Sequence, residues 1–144
     1  MLKQFLEIVT TQFVRVRGNS MAPTLRPGSW VSVSRRAYRG SPPARFDIVK
    51  LHDLSRSGRW VIKRVVGLPG ENVRIENGRL TVNGQEVAEP YVGSPGPLRT
   101  QEWWLRQDEY IVLGDNRDES TDSRRYGPVL RDSIRGKVRR KERL

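Results

Sequence analysis

A serine near the start of the chain lies in a short, stiff segment, Gly-Asn-Ser-Met-Ala-Pro-Thr-Leu at residues 18–25. Alternating residues before it predict a strand, and Pro27-Gly28 after it predicts a turn. Pro23 fixes its own φ and restricts the preceding residue, while Gly18 permits backbone conformations that other residues avoid. Such a loop could present the Ser20 hydroxyl as a nucleophile if a base activates it. An ordinary turn is the alternative.

The base could be a lysine, because the chain has one histidine, His52, which follows a candidate strand and has the character of a surface residue. In the segment 60–66, strand alternation places Lys63 between Val61 and Val65 on one face. If that face is buried, desolvation can lower a lysine pKa by roughly 3–5 units. The neutral amine could then accept a proton from a serine. The alternative is a charged lysine that extends to the sheet rim.

The third segment of interest, residues 114–124, is polar. It follows an apolar run and combines carboxylates, hydroxyls, an amide and arginines. This density indicates either an exposed turn or a hydrogen-bonded network beside a site. Its arginines and spacing argue against a calcium loop. The absence of cysteine and the single histidine exclude thiol catalysis and multi-histidine metal sites. We therefore expect no metal and no other cofactor.

The elements that must position these residues are mostly short strands separated by turns. Asn77-Gly78 and Asn83-Gly84 are typical of two-residue hairpin turns. The predicted fold class is mostly β, an antiparallel β-sandwich or partly open barrel. A single β-rich domain is expected over residues 13–144, after a short amphipathic segment at 1–12. The strand candidates are 13–17, 30–34, 46–51, 60–66, 72–75, 79–82, 85–87, 103–106, 110–113 and 134–139.

The charge of the chain favours anionic surfaces, with 27 Lys and Arg against 16 Asp and Glu and a formal net charge of +11. The basic residues are scattered and no nucleic-acid-binding signature is present, so no nucleic-acid partner is expected. Before Ser20 the longest uncharged run is 8–14, far short of the ~20 apolar residues of a membrane span. The amphipathic segment could dock on the domain or lie on lipid.

Taken together and in this order, the three segments resemble the type I signal peptidases, the S26 family of serine proteases that use a Ser-Lys dyad. The resemblance extends from residue 17 to about residue 129. Four motifs carry it: the serine motif 19–25, the Phe-Asp-Ile-Val motif 46–49, the lysine motif 62–71 and the last motif 114–127. It also implies a small hairpin insertion at about 75–107, like that of compact members.

The resemblance implies that Ser20 is the nucleophile and that Lys63 is the general base, which later protonates the leaving amine. Ser120 would hydrogen-bond and orient the lysine, and Asp122 and Arg124 would form a supporting ion pair. The backbone N–H of Ser20 would contact the oxyanion. In some members a serine two positions before the nucleophile adds a second donor; here Gly18 occupies that position, so that hydroxyl is absent.

The implied substrates are the signal peptides of exported preproteins, cleaved after a small residue with another small residue two positions before it, the Ala-x-Ala pattern. The substrate would bind in an extended conformation beside strand edges. Met21, Val61 and Val65 are the expected pocket lining. Trp103-Trp104 could lie either in a lipid interface or in the core.

The N terminus departs from the family, whose members usually have a membrane span directly before the serine motif. Here 19 residues precede Ser20, and we expect a compact form without that span. It could be a shortened chain, a peripheral enzyme at the extracytoplasmic face of the cytoplasmic membrane that binds anionic lipid, or a soluble cytoplasmic relative. Two other functions stay open: a soluble Ser-Lys maturation peptidase with a dedicated precursor, and an inactive basic β module that binds anionic lipid or nucleic acid.

Overall fold

Two antiparallel sheets form the protein in a computed structural model that describes residues 1–139. The larger sheet has seven strands in the order β1-β2-β11-β3-β4-β9-β10, and the smaller has four in the order β7-β6-β5-β8. The mostly β, antiparallel fold class is thus confirmed. The strands are β1 Thr11–Arg15, β2 Trp30–Ser34, β3 Ile48–His52, β4 Trp60–Gly67, β5 Asn72–Glu76, β6 Arg79–Val82, β7 Gln85–Val87, β8 Gln101–Trp104, β9 Glu109–Leu113, β10 Val129–Leu130 and β11 Ile134–Arg139.

Three clusters of buried hydrophobic side chains hold the sheets together, as the alternating pattern of the strands requires. One lies under β1, β2 and β11 and includes Met21 and Leu25 from the serine segment. A second lies under β3, β4 and β9. The third packs the smaller sheet against β4 and β9. The serine segment is therefore fastened to the core of the larger sheet by its own apolar side chains.

Helices are few and short. Helix α1, Leu2–Thr10, leads directly into β1, and helix α2, Ser123–Tyr126, follows the last motif. A 3-10 turn, Arg131–Ser133, precedes β11. No helix within residues 1–139 has the length and apolarity needed to cross a bilayer.

Several strand boundaries differ from the sequence prediction. Strand β3 begins at Ile48 rather than at 46, because Phe46 has a positive φ of 75° that interrupts the strand. Strand β8 begins at Gln101 and ends at Trp104, before the predicted end at 106. The two adjacent tryptophans have different surroundings: Trp103 packs against the core of the smaller sheet, and Trp104 is 76% exposed.

Candidate active site

The serine segment is a compact loop between β1 and β2. Ala22 N–H donates to the Asn19 carbonyl at 3.0 Å, and Leu25 N–H donates to the Met21 carbonyl at 2.8 Å. Gly18 has a φ of +72°, a conformation that L residues rarely adopt. Because the side chains of Met21 and Leu25 are buried, the backbone on either side of Ser20 has little freedom to move.

Hydrogen bonds join this loop to the polar segment 114–124, almost a hundred residues further along the chain. Asn116 N–H donates to the carbonyl oxygen of Ser20 at 3.0 Å, and its side-chain amide donates to the carbonyl of Asn19 at 3.1 Å. Thr24 Oγ1 donates to Asp115 Oδ2 at 2.6 Å. The segment 114–124 is therefore part of the site rather than an exposed turn, which decides between the two interpretations of its composition.

Gly114 allows the two loops to approach closely. A Cβ at this position would collide with the hydroxyl of Ser120 and lie 2.6 Å from the carbonyl oxygen of Ser20. Only glycine fits between these groups. Sequence reasoning placed Gly114 in the last motif without giving it a role, because a close approach between distant segments leaves no local signal.

Lys63 lies on β4 opposite Val49 of β3 and is 3% exposed. Its Nζ is 2.8 Å from Ser20 Oγ, so the structure brings the predicted nucleophile and base into hydrogen-bond contact. His52, the other candidate base by residue type, is an exposed residue at the end of β3. The buried lysine, rather than the histidine, therefore contacts the serine.

Burial lowers the pKa of Lys63 from its ordinary value of 10.5, because desolvation penalises the charged ammonium. The carboxylates of Asp122 and Asp53 oppose this shift, and the guanidinium of Arg124 adds to it. The charges around Lys63 thus adjust a pKa that desolvation has already lowered. The neutral amine, the form that can accept a proton, becomes available at a lower pH than for an exposed lysine.

The ion pair expected behind the site is present. Asp122 is fully buried, and Arg124 approaches it through Nε at 3.0 Å from Oδ1 and through Nη2 at 3.0 Å from Oδ2. Asp122 also accepts the backbone N–H of Gly114 at 3.0 Å and caps α2 by accepting the N–H of Arg124 at 3.1 Å. The carboxylate therefore connects the last motif to the start of a helix.

The hydrogen-bond partner of the Ser120 hydroxyl is not the expected Lys63. It donates to Asp122 Oδ2 at 2.8 Å, and no hydrogen bond joins it to Lys63 within the described chain. The physical reason is that a buried carboxylate is a stronger acceptor than an amine. Ser120 thus contacts Asp122, whose charge acts on Lys63.

A second buried ion pair was missed by the sequence analysis. Arg64 contacts Asp115 through two hydrogen bonds, Nε to Oδ1 at 2.9 Å and Nη2 to Oδ2 at 2.7 Å. The guanidinium also lies 3.9 Å from the ring centre of Tyr91. Since Arg64 follows Lys63 and Asp115 follows Gly114, this pair clamps the strand that carries the lysine to the segment that supports the serine. Both residues are in the recognised motifs, but nothing in their local sequence indicates that they pair.

Two clefts adjoin the Ser20–Lys63 contact. The first, of about 480 Å³, contains Ser20, and its apolar lining comes from Val16, Met21, Trp60, Val61 and Ile62. The second, of about 470 Å³, contains Lys63. Met21 and Val61 therefore lie beside the serine.

The expectation for Val65 was wrong. This residue is fully buried, in the cluster of β3, β4 and β9, and lies outside both clefts. Because both faces of β4 are covered, alternation alone could not distinguish a residue of the core from one of the cleft. Ile62, on the other face of the strand, lines the first cleft instead.

Two further features, a free backbone N–H and the lack of a metal-binding cluster among the described residues, bear on the chemistry of the site. Ser20 N–H donates to no acceptor within residues 1–139, so it is free to bind a developing negative charge. Within the same residues no group of three or more histidine or acidic side chains is placed to hold a metal ion. The arrangement can supply a nucleophile, a base and one backbone donor.

Comparison with known proteins agrees with this fold. The family model described as "Signal peptidase, peptidase S26" matches residues 1–141. The chain therefore belongs to the S26 signal peptidase family. It is 36% identical over 130 residues to signal peptidase I of Leptolyngbya laminosa, covering 85% of this chain and 64% of the relative. It is also 36% identical over 138 residues to signal peptidase I V of Bacillus subtilis, covering 86% of this chain and 81% of the relative.

Among solved structures, a signal peptidase I from Enterococcus faecalis superposes with a TM-score of 0.57 and 34% sequence identity. The match covers 67% of this chain and 97% of that one. The similarity therefore extends to the three-dimensional arrangement of the strands.

Proposed function

We propose that this protein is a serine endopeptidase that cleaves signal peptides from exported preproteins after small residues of the Ala-x-Ala type. The observation that carries the proposal is the 2.8 Å contact between Ser20 Oγ and the Nζ of a lysine that is 3% exposed. A buried amine beside a hydroxyl is the arrangement that a Ser-Lys mechanism requires. Membership of the signal peptidase family and the signal peptidase names of the relatives support the choice of substrate.

In the proposed first step, neutral Lys63 accepts the proton of the Ser20 hydroxyl while Oγ attacks the scissile carbonyl carbon. The carbonyl π electrons move to the oxygen, and the Ser20 N–H stabilises the resulting oxyanion. When the carbon–nitrogen bond breaks, the Lys63 ammonium gives its proton to the leaving amine. An acyl-enzyme ester and a new N terminus result. Lys63 then accepts a proton from the attacking water and returns one to Ser20, which restores both groups.

An extended substrate has a strand edge available beside the serine. Strand β4 pairs with β3 along Trp60–Arg64, but its pairing with β9 begins only at Arg64. Within residues 1–139 the other edge of β4 before Arg64 is therefore unpaired, and it can form backbone hydrogen bonds with a peptide. The apolar side chains of Met21 and Ile62 line the adjoining cleft and suit small aliphatic residues on the acyl side of the bond.

The test is cleavage of a peptide with Ala-x-Ala before the scissile bond by the wild type and by Ser20→Ala and Lys63→Ala. We expect each substitution to lower kcat/KM by roughly a thousandfold or more, because either loss removes the dyad as a unit. His52→Ala, which removes the exposed histidine, is the matched control and should retain activity. Equal activity in wild type and Ser20→Ala would contradict the proposal. Cleavage of one precursor but no Ala-x-Ala peptide would favour the maturation peptidase.

We further propose that the protein attaches peripherally to anionic membrane, at the extracytoplasmic face where preproteins emerge. Phe13 of β1 and Trp30 of β2 lie on one face of the strand pair, and both are 61% exposed. Leu2 and Phe5 of the preceding helix are exposed as well. Arg15, opposite Trp30, adds positive charge to this apolar face. Apolar side chains flanked by basic ones are typical of interfacial attachment.

Vesicle co-sedimentation tests the attachment. We expect binding to phosphatidylglycerol vesicles that exceeds binding to phosphatidylcholine and weakens as salt rises. Phe13→Ser with Trp30→Ser should reduce binding several-fold, whereas Leu98→Ser, which removes an equally exposed residue elsewhere, should not. Equal binding to both lipids, or no effect of the double substitution, would contradict attachment through this face.

A further inference from the structure

The second cleft differs in chemistry from the first. It lies between the loop that joins β3 to β4 and the segment at the start of α2. Val61 is the one apolar side chain among its lining residues. Besides Lys63, the polar lining residues are Asp53, Ser55, Arg56, Arg59, Thr121 and Arg125. It meets the apolar cleft along Asp53, Arg59 and Val61, which line both. The second cleft thus adds Arg56 and Arg125 to the charged residues that the two clefts share, and it lacks most of the apolar lining of the first.

The position of Lys63 indicates which part of a substrate binds in this second cleft. This step rests on the proposed function, in which Lys63 delivers a proton to the leaving amine. The donor must lie within hydrogen-bond reach of that nitrogen. The chain that follows the scissile bond is attached to the same nitrogen, so it starts beside Lys63. The apolar cleft contains Ser20 and suits the acyl side, which leaves the second cleft for the residues after the bond.

The arginines of the second cleft are available to a ligand. Arg56, Arg59 and Arg125 are exposed, and none of them takes part in a salt bridge within residues 1–139. The cleft has one carboxylate, Asp53, whose Oδ1 already accepts both the N–H and the hydroxyl of Ser55. Three guanidinium groups against one carboxylate give this wall an excess of positive charge.

We propose that the second cleft selects substrates with acidic side chains in the first few residues after the cleavage site. Guanidinium groups bind carboxylates with a planar, two-donor geometry that an arginine-lined wall can offer at several positions. A basic side chain at the same place would meet like charge and lose affinity. The start of the mature protein, and not only the signal peptide, therefore contributes to recognition.

Four peptides with the same Ala-x-Ala sequence test the selection. The first has two Asp residues after the bond, the second two Asn, and the third two Lys; the fourth carries the two Asp at its far N-terminal end. We expect kcat/KM to fall in the order Asp, Asn, Lys, by roughly two- to fivefold per charge, because exposed ion pairs are weak. Added salt should reduce the differences. Attraction to the overall positive charge would favour the fourth peptide as strongly as the first, and that result would overturn the proposal.

Charge-reversal substitutions test whether the preference for acidic substrates arises in the second cleft. Arg56→Glu with Arg125→Glu should reverse the order, so that the Lys peptide becomes the better substrate. Arg79→Glu, on the smaller sheet, alters the net charge by the same amount per substitution and should leave the order unchanged. Cleavage of the Asn peptide with no response to charge at these positions would overturn this proposal while leaving the endopeptidase proposal intact.

Binding provides a measurement that does not depend on catalysis. Fluorescence anisotropy with the Ser20→Ala variant compares the same four peptides without cleavage. Tighter binding of the first peptide than of the fourth, lost in Arg56→Glu with Arg125→Glu, would support the arginine cleft even if wild-type cleavage failed. Equal binding of the first, third and fourth peptides would overturn it.

Discussion

The ion pairs beside the serine and an ion pair on the smaller sheet differ in burial. Beside the serine, Arg64 pairs with Asp115 at side-chain exposures of 11% and 0%, and Arg124 pairs with a fully buried Asp122. On the smaller sheet, Arg74 pairs with Glu76 at exposures of 39% and 51%. Water screens the exposed pair, while the buried pairs act in a medium of low dielectric constant.

This difference shows where the charge of the protein has consequences for the site. A buried charge that loses its partner is left desolvated, so the pairs near Ser20 constrain the loops that they join. One of these pairs also acts on Lys63: the carboxylate of Asp122 raises its pKa and the guanidinium of Arg124 lowers it. Charges on the smaller sheet have no comparable access to the reacting groups.

The largest effect is expected from breaking the buried pair. Arg64→Ala leaves the carboxylate of Asp115 buried, with Thr24 as its remaining side-chain partner among residues 1–139. We expect the free energy of unfolding to fall by about 3–5 kcal/mol, measured by urea titration. Arg74→Ala, on the smaller sheet, should cost no more than about 1 kcal/mol. Similar losses in the two variants would remove the distinction between the sheets.

Close packing at Gly114 is expected to matter for activity. A methyl group in Gly114→Ala must displace the carbonyl of Ser20 or the hydroxyl of Ser120. A shift of this kind moves the nucleophile from Lys63, and we expect kcat/KM on the Ala-x-Ala peptide to fall by about a hundredfold. The control is Gly93→Ala, where the added Cβ has no neighbour within 4 Å. Wild-type activity in Gly114→Ala would show that the loop tolerates displacement.

A smaller effect is expected on the pH dependence of the reaction. The guanidinium of Arg124 helps to lower the pKa of Lys63, so Arg124→Gln should raise that pKa. Activity requires the neutral amine and therefore rises with pH through the lysine pKa. We expect the rising limb of kcat/KM to move to higher pH, because one of the charges that lowers the lysine pKa has been removed. Arg124→Lys should restore it, and Arg79→Gln should leave it unchanged. A fall in rate without movement of the limb would indicate a purely structural role.

Strands and turns followed from local sequence, because alternation and Asn-Gly pairs report the environment of each residue directly. Strand β10 has two residues and α2 has four, too few for any periodicity. The capping side chain of Asp122 was the available signal for α2.

Only part of the site could be predicted from the sequence. The order of four motifs indicated that Ser20 and Lys63 belong together, and the structure places them in contact. The Arg64–Asp115 pair joins residues 51 positions apart, and local sequence has no information on such distant contacts. The direction of the Ser120 hydroxyl could not be predicted from the sequence either, since it depends on which acceptors the fold places around the hydroxyl.

The most direct test of the dyad is the titration of Lys63 itself. The chain has five lysines, so ¹³C labelling of lysine side chains gives few signals, and Lys63→Met identifies the one of interest. Because burial favours the neutral amine, we expect the Lys63 signal to titrate below 10.5, and Arg124→Gln to raise its midpoint. A Lys63 signal that titrates at or above 10.5 would mean that the amine is charged where the reaction needs it neutral, and would contradict its role as the base for Ser20.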